Sequence, residues 1–479
     1  MRATLFCSML FASLIAFLAL GSRADEPRPP KGFTALFDGK SLAGWHGMPH
    51  FDPYQLAAMP EEKRKALIEH WTEDANKHWT VENGELVNDG NGAYLTTDKK
   101  YGDIELLIEY KLSPRADSGI YLRATPQVQI WDTTKEAGYW KLGADKGSGG
   151  LWNNTPGTPG RDPLVHADRA LGQWNSFRII MVGERVTVYL NGKLVVDHAR
   201  LENFWNPAEV RKLQSELKKV EATDAADSAK KAEDLRRKIA HVRTRPLPLK
   251  EVIQLQTHGG EIRWRNIYIR EIPSEEANAI LVKHGSKGFE SVFNGKDFTG
   301  WAGPVDQYEV KDGAIVCRPG KGGTIYTKDE YGDFMARLEI KLPPGGNNGL
   351  AIRYPGNGDT AYVGMCELQV LDDTAPQYAP PKLDPRQYHG SAYGMVPAHR
   401  GYQRPVGDWN FQEVTIMGPT IKVELNGTKI LDCDLSKVTK YMANSPHPGK
   451  NRTSGHFGFA GHNDPVAFRK IQIKRLDRR

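Results

Sequence analysis

The chain has 479 residues, of which 39% are hydrophobic and 25% charged, with a formal net charge of +6. This composition excludes a disordered or fibrous chain and supplies apolar material for two cores, while so small a basic excess over this length gives no footprint for nucleic acid. The 48 glycines and 30 prolines point to a turn-rich architecture rather than to long helices.

The opening, MRATLFCSMLFASLIAFLALGSRA, carries a positive charge at Arg2, an apolar run to Leu20 and a small-x-small ending at Ser22-Arg23-Ala24. A signal peptide over residues 1–24 is expected, cleaved on export to a periplasmic or extracellular destination. The run is marginal for a membrane span and no later segment is long enough, so no transmembrane span is expected in the mature chain. Cys7 leaves with the leader. Cys317, Cys366 and Cys433 remain, an odd number that suits buried free thiols better than a disulfide framework.

From Gly32 the chain is written twice. GFTALFDGKSLAGW (Gly32–Trp45) returns as GFESVFNGKDFTGW (Gly288–Trp301), and WTVENGELV from Trp79 returns as YEVKDGAIV from Tyr308. YGDIELLIEYKLSPRADSGIYLR from Tyr101 matches YGDFMARLEIKLPPGGNNGLAIR from Tyr331, and VQIWD, ending at Asp132, matches LQVLD, ending at Asp372. WNSFRIIMVGERVTVYLNGKLVVD from Trp174 matches WNFQEVTIMGPTIKVELNGTKILD from Trp409. A repeat of about two hundred residues is a domain rather than a solenoid turn. Two domains are therefore expected, over 32–272 and 288–477, with a linker at 273–287.

Within each copy the apolar residues alternate at period two, as in IELLIEYKL and KVELNGTKILD, and Asn191-Gly192 and Asn426-Gly427 are hairpin turn signals. Each copy reads as an antiparallel β-sandwich. The first copy has two helical insertions. One is short, from Pro60 to Trp71. The other, 207–243, shows Val210, Leu213, Leu217 and Val220, then Ala232, Leu235, Ile239 and Val242, at 3-4-3 spacing with Ala225 and Ala226 near the turn. That is a charged two-helix hairpin, either a solvated arm or a docking surface for a protein partner or for the second domain.

Alternation also sorts the polar residues. In GLAIR, Leu350 and Ile352 face the core, which sends Arg353 outward; in CELQV, Glu367 and Gln369 face outward; in the last His-bearing strand His462 alternates outward against Phe457 and Phe459. Asp372 and Asp373 follow at a strand end, and Tyr393 lies in a Gly-rich loop. Together these residues could supply base, acid and anion stabiliser. The first copy has Arg123, Gln127, Gln129, Asp132, Trp152 and His258 at the same positions. An amide at Gln127 cannot serve as a base and Trp152 offers a stacking surface, so the first face reads as better suited to holding a sugar than to reacting with it. Set against this reading, an Arg–Glu pair on a sheet face can be a plain cross-strand ion pair, and strand-end aspartates can be turn formers.

The GF-x-x-LF-G-K opening, NGxL, SGIxxR, ExQ-x-x-D, the Gly-rich loop ending in Tyr, WN, LNG and the closing FRNI-like strand resemble the 3-keto-disaccharide hydrolase family. Both copies match, over nearly the whole mature chain. The resemblance implies an all-β fold of two tandem concanavalin A-like jelly-roll sandwiches, here with a helical hairpin in the first, and activity on glycosides oxidised at C3. By motif position it puts the family's Arg on Arg353, its ExQ on Glu367 and Gln369, its Asp on Asp372 and its loop Tyr on Tyr393. The first copy departs at Gln127 and Trp152.

A C3 ketone acidifies the C2 hydrogen, so a base can remove it, the C1 substituent can leave from the enolate, and water can add to the enone. The sugar or glycoside substrate would meet Glu367 or His462 as base, Arg353 as enolate stabiliser and Tyr393 as acid or orienting donor. No tight ligand spacing requires a metal or other cofactor, although His462, Glu367 and Asp372 are all of ligand type. The alternative is a non-catalytic carbohydrate-binding or interaction protein, since the sandwich is also a lectin scaffold.

Overall fold

The computed structural model describes residues 28–125, 127–223 and 227–476; the expected leader and Ala225 and Ala226 lie outside the described residues. The described residues form two eight-stranded and two five-stranded antiparallel sheets. In the first copy the large sheet runs Lys193–Arg200, Arg185–Leu190, Asn175–Val182, Ile104–Leu112, Ile262–Glu271, Glu85–Asn88, Trp79–Glu82, with Thr34–Ala35 beside the Ile262–Glu271 strand. The large sheet of the second copy repeats this order strand for strand, from Thr428–Asp434 to Tyr308–Lys311, with Glu290–Ser291 as its eighth. The protein is mostly β, two tandem antiparallel sandwiches of one strand order.

Each core lies between the facing sheets, where the period-two apolar residues meet. Leu106, Ile108, Tyr110, Phe177 and Trp264 are buried in the first, and Phe334, Phe457, Phe459 and Phe468 in the second, with Phe459 and Phe468 stacked 3.9 Å apart. Burying such side chains contributes roughly 1.5–3 kcal/mol each. Cys317, Cys366 and Cys433 are free thiols; Cys317 and Cys366 are buried and Cys433 is partly so. Burial pushes the Cys317 thiol to about 11 and the Cys433 thiol to about 12.

The small sheets carry the faces of interest. The first runs Trp45–Gly47, Leu95–Thr97, Gln254–Leu255, Asp117–Tyr121, Gln127–Trp131; the second runs Trp301–Ala302, Gly322–Tyr331, Gly455–His462, Asn347–Tyr354, Cys366–Leu371. Both NG turns place Asn and Gly at positive φ (50° and 79° in one, 52° and 79° in the other), the geometry a tight hairpin requires.

The short insertion is longer than expected. Its helix spans Glu61–His78, because its second half packs on the Trp45–Gly47 strand: a side chain at Gly47 would sit 2.0 Å from the Trp71 carbonyl oxygen. The larger insertion forms helices Asn206–Glu221 and Ser228–Thr244, packed against each other. Ala232, Leu235, Ile239 and Val242 are buried, whereas Val210, Leu213, Leu217 and Val220 are half-buried. Arg245 closes the base of the pair on Asn206 (3.1 Å) and Glu209 (2.7 Å). The hairpin also reaches the second sandwich, with Thr244 hydroxyl 2.9 Å from His399 Nε2 and Lys440 2.7 Å from Glu233.

The 273–287 segment, expected as a linker, contains the helix Ser274–Lys283. Ala277 and Leu281 bury against Val182 and Ile272 of the first copy and Phe411 of the second. Asn278 donates to the Trp409 carbonyl (3.1 Å), and Arg404 reaches Ser274 O (3.0 Å). Beside it, Arg185 and Arg200 grip Glu424 from across the junction. Among the described residues no helix is long and apolar enough to cross a membrane.

Candidate functional site

On the second small sheet the strand pairs Gly458–Ala351–Glu367 and Ala460–Gly349–Gln369 lie side by side. Four small residues thus pave the middle of the face, and the functional side chains stand at its margin. A side chain at Gly349 would sit 2.2 Å from Glu367 Oε1, so the absence of a Cβ there is what lets the carboxylate lie over the neighbouring strand. Glu367 is 6% exposed and His462 49%, with His462 Nε2 3.8 Å from Glu367 Oε1. The carboxylate raises the imidazole above its usual range, against the opposing pull of burial.

Tyr393 is tied to the same carboxylate-bearing strand, its N–H donating to the Glu367 carbonyl (3.0 Å), while its hydroxyl accepts from Gln387 (3.3 Å). Burial pushes the phenol up, and Tyr362, Glu367 and Asp359 add to the shift, so this hydroxyl keeps its proton. Gln369 donates to Asn347 Oδ1 (2.6 Å). Over the other end of the small-residue floor lies the 355–365 loop, which has no counterpart of its length in the first copy. Its short helix Thr360–Val363 is capped by Asp359, and Thr360 meets Thr324 hydroxyl to hydroxyl at 2.5 Å. Ala351 beneath is fully buried.

The arginines are not on this face. Arg353 has φ 47° and sits at a register shift between Ala351 and Tyr354, which breaks strict alternation and turns its side chain to the sandwich end. There it is 2% exposed, paired with Asp333 (2.8 Å) and donating to the carbonyls of Gly332 (2.9 Å), Gly418 (2.9 Å) and Arg452 (2.8 Å). Arg123 repeats the arrangement, with φ 53°, Asp103 at 3.4 Å and Pro248 O at 3.1 Å. The expectation that Arg353 stabilises an enolate is corrected: a backbone kink has made both arginines internal struts.

The strand-end aspartates are loop ties as well. Asp372 accepts from Gly345 N (2.8 Å), Thr374 N (2.9 Å) and the Thr374 hydroxyl (2.5 Å), and Asp132 accepts from Arg115 N, Thr134 N and the Thr134 hydroxyl. Both oxygens of each are engaged by turn donors, and among the described residues no group of three or more His, Cys, Asp or Glu side chains, His462, Glu367 and Asp372 included, stands together as a metal site. Asp373 is buried, accepting from His389 N (3.1 Å), and burial raises its carboxyl to about 6.

The first face keeps its imidazole but takes its carboxylate from elsewhere. Gln127 lies over Gly119 as Glu367 lies over Gly349. Gln127 Nε2 donates to Gln129 Oε1 (2.5 Å), and Gln129 Nε2 donates to Asp117 Oδ1 (2.7 Å). Asp117 Oδ2 in turn lies 2.8 Å from Nδ1 of His258. Asp117 and Asn347, each the first residue of its strand, anchor Gln129 and Gln369 in the same way, and sequence reasoning missed both. Trp152 donates to Leu142 O (3.0 Å), meets Trp131 edge-on at 5.7 Å and carries the Arg161 guanidinium 4.9 Å over its ring. Where the second copy has its loop, the first has rings: His50 lies 4.7 Å from Tyr121 and 4.5 Å from Trp205, which come from different segments.

Comparison with known proteins places both faces in one family. A family model described as a 3-keto-α-glucoside-1,2-lyase-like domain matches residues 32–270 and 288–474. A Bacteroides thetaiotaomicron protein named 3-keto-disaccharide hydrolase is 24% identical over 249 residues, 44% of this chain and 86% of that one. Among solved structures, a candidate glycosyl hydrolase from Parabacteroides distasonis is 27% identical, covering 43% of this chain and 99% of that one with a TM-score of 0.36. A carbohydrate-binding module from Bacillus subtilis is 14% identical, covering 37% and 97%, with a TM-score of 0.25. On the strength of the two matched regions, the chain belongs to the 3-keto-α-glucoside-1,2-lyase-like family, of which it carries two copies in tandem.

Proposed function

We propose that this is an exported carbohydrate-active enzyme whose second sandwich cleaves 3-keto-glycosides. The observation that carries the reading is the Glu367–His462 pair, 3.8 Å apart over a floor of small side chains, with Tyr393 tied to Glu367 by its backbone. The family match supports the substrate class.

Glu367 takes the C2 proton, made acidic by the C3 ketone, and the C–H electron pair becomes the C2=C3 bond of an enolate. With Arg353 internal, the group left to offset the charge on O3 is His462, which Glu367 holds toward its protonated form. The enolate collapses to the ketone, the C1–O bond breaks, and the leaving oxygen takes a proton from Tyr393. Water then adds at C1 while Glu367 returns its proton to C2 and the phenol is reprotonated, so the net change is hydrolysis. The first sandwich takes sugar on its aromatic-flanked face.

The test is aglycone release from a C3-oxidised glucoside and from its unoxidised parent, with wild type and Glu367→Gln. Release from the ketone only, lowered about 10²- to 10⁴-fold at the second site in the variant, is expected. Saturable binding with no release from either substrate would replace this reading with a lectin-like one.

A further inference from the structure

On the first sandwich the imidazole is better placed for proton abstraction than on the second. Asp117 is 8% exposed and both of its oxygens are engaged, Oδ1 by Gln129 and Oδ2 by His258 Nδ1 at 2.8 Å. A carboxylate only accepts, so the proton of a neutral His258 lies on Nδ1 and the lone pair on Nε2. The side chain is 64% exposed. Gln129 is itself held by Gln127, whose Oε1 is buried without a protein partner among the described residues. Trp131 stands directly across the strand pair from Asp117, with Tyr139 6.0 Å from its ring and Trp152 at 5.7 Å, while Trp140 is 45% exposed nearby. An oriented base, an unfilled acceptor and an aromatic wall therefore meet at one end of this face, as a sugar-binding reaction site requires.

We infer that the first sandwich is a second proton-abstracting site, in which Nε2 of His258, oriented and charge-balanced by Asp117, removes the C2 hydrogen of a bound 3-keto-glycoside. This rests on the elimination chemistry proposed above. The roles are exchanged between copies: in the second a carboxylate takes the proton beside a histidine, and in the first a histidine takes it beside a carboxylate. The C–H pair forms the C2=C3 bond and charges O3, and Asp117 offsets the imidazolium. Collapse of the enolate breaks the C1–O bond, and the imidazolium proton passes to the leaving oxygen. The products are an enone and a free alcohol, with the base restored and no co-reactant consumed. A raised imidazole affinity for protons, caused first by Asp117, agrees with the geometry.

The experiment follows deuterium entry at C2 and aglycone release, in heavy water, for the full chain with a C3-oxidised glucoside. Glu367→Gln is expected to retain measurable exchange, and adding His258→Asn or Asp117→Asn to it is expected to lower that remaining activity at least about tenfold. Asp117→Asn is also expected to shift the pH profile of the remaining exchange to lower pH, as loss of the carboxylate weakens proton binding by His258; a merely structural loss would lower the rate without moving the profile. His258→Gln, with unchanged thermal melting, controls for misfolding. Exchange that vanishes in Glu367→Gln alone, or that survives unchanged in the double variant, overturns the inference while leaving the second site standing. No exchange by the wild type overturns both.

Discussion

The two sandwiches share a strand order and differ in where they keep a negative charge. In the first it lies on the strand Asp117–Tyr121, in contact with Nδ1 of the histidine; in the second it lies on the neighbouring strand Cys366–Leu371, nearer Nε2. Position by position, Gln127 against Glu367 is the loss of an acid. In space, the carboxylate has moved one strand over while the histidine stayed. A duplicated face can keep a pair of chemical groups and exchange the strand that supplies one of them.

Charge removal at the paired arginines is the strongest way to break this comparison. Arg353→Met takes the guanidinium from Asp333 and from three carbonyls and is expected to cost about 3–5 kcal/mol, whereas Arg123→Met is expected to cost less, because Asp103 keeps Arg404 at 3.9 Å. Urea midpoints measure this. An Arg353→Met variant that melts like the wild type but loses turnover would return Arg353 to the chemistry.

Asp373 distinguishes the copies by pH, since the first has Thr133 at the matching position. Its folded carboxyl is raised by burial from 3.8 to about 6. The folded state therefore binds the proton more tightly, so the associated stability is present below about pH 4 and is lost as pH rises through 6. Asp373→Asn is expected to stabilise the second sandwich at pH 7, by about 3 kcal/mol at most, and to do nothing at pH 3. Thermal melts at the two pH values decide it.

Smallest in effect are the floor glycines. Gly349→Ala puts a methyl where the Glu367 carboxylate lies, and Gly119→Ala does the same beneath Gln127. The first is expected to lower kcat about tenfold, as a displaced base loses alignment, with KM little changed. The second is expected to disturb the Gln127–Gln129 relay and leave the Glu367-dependent rate intact. Equal effects on that rate would mean that the two faces do not work separately.

Much of this architecture was legible in the sequence. The repeat announced two sandwiches, period-two alternation grouped Glu367, Gln369 and His462, and the match between copies carried that grouping to Gln127, Gln129 and His258. Alternation failed at both arginines because each sits at positive φ, Arg353 beside a register shift and Arg123 beyond the last residue of its strand. Asp117 was hidden for another reason: its role depends on pairing with His258 across 141 positions of chain, which no local pattern carries. The Ser274–Lys283 helix did leave a local signal, Pro273 and Ser274 ahead of Glu275 and Glu276 in the first turn, which fits a helix start.

The three thiols among the described residues give the molecule an uneven chemical clock. All lie in the second sandwich, and burial keeps them protonated and slow to react. Labelling of Cys317, Cys366 and Cys433 by a thiol reagent, followed residue by residue, times the opening of that half alone. If the helix wedged against Val182 and Phe411 makes the halves open together, loosening the first sandwich will quicken a reaction that takes place only in the second.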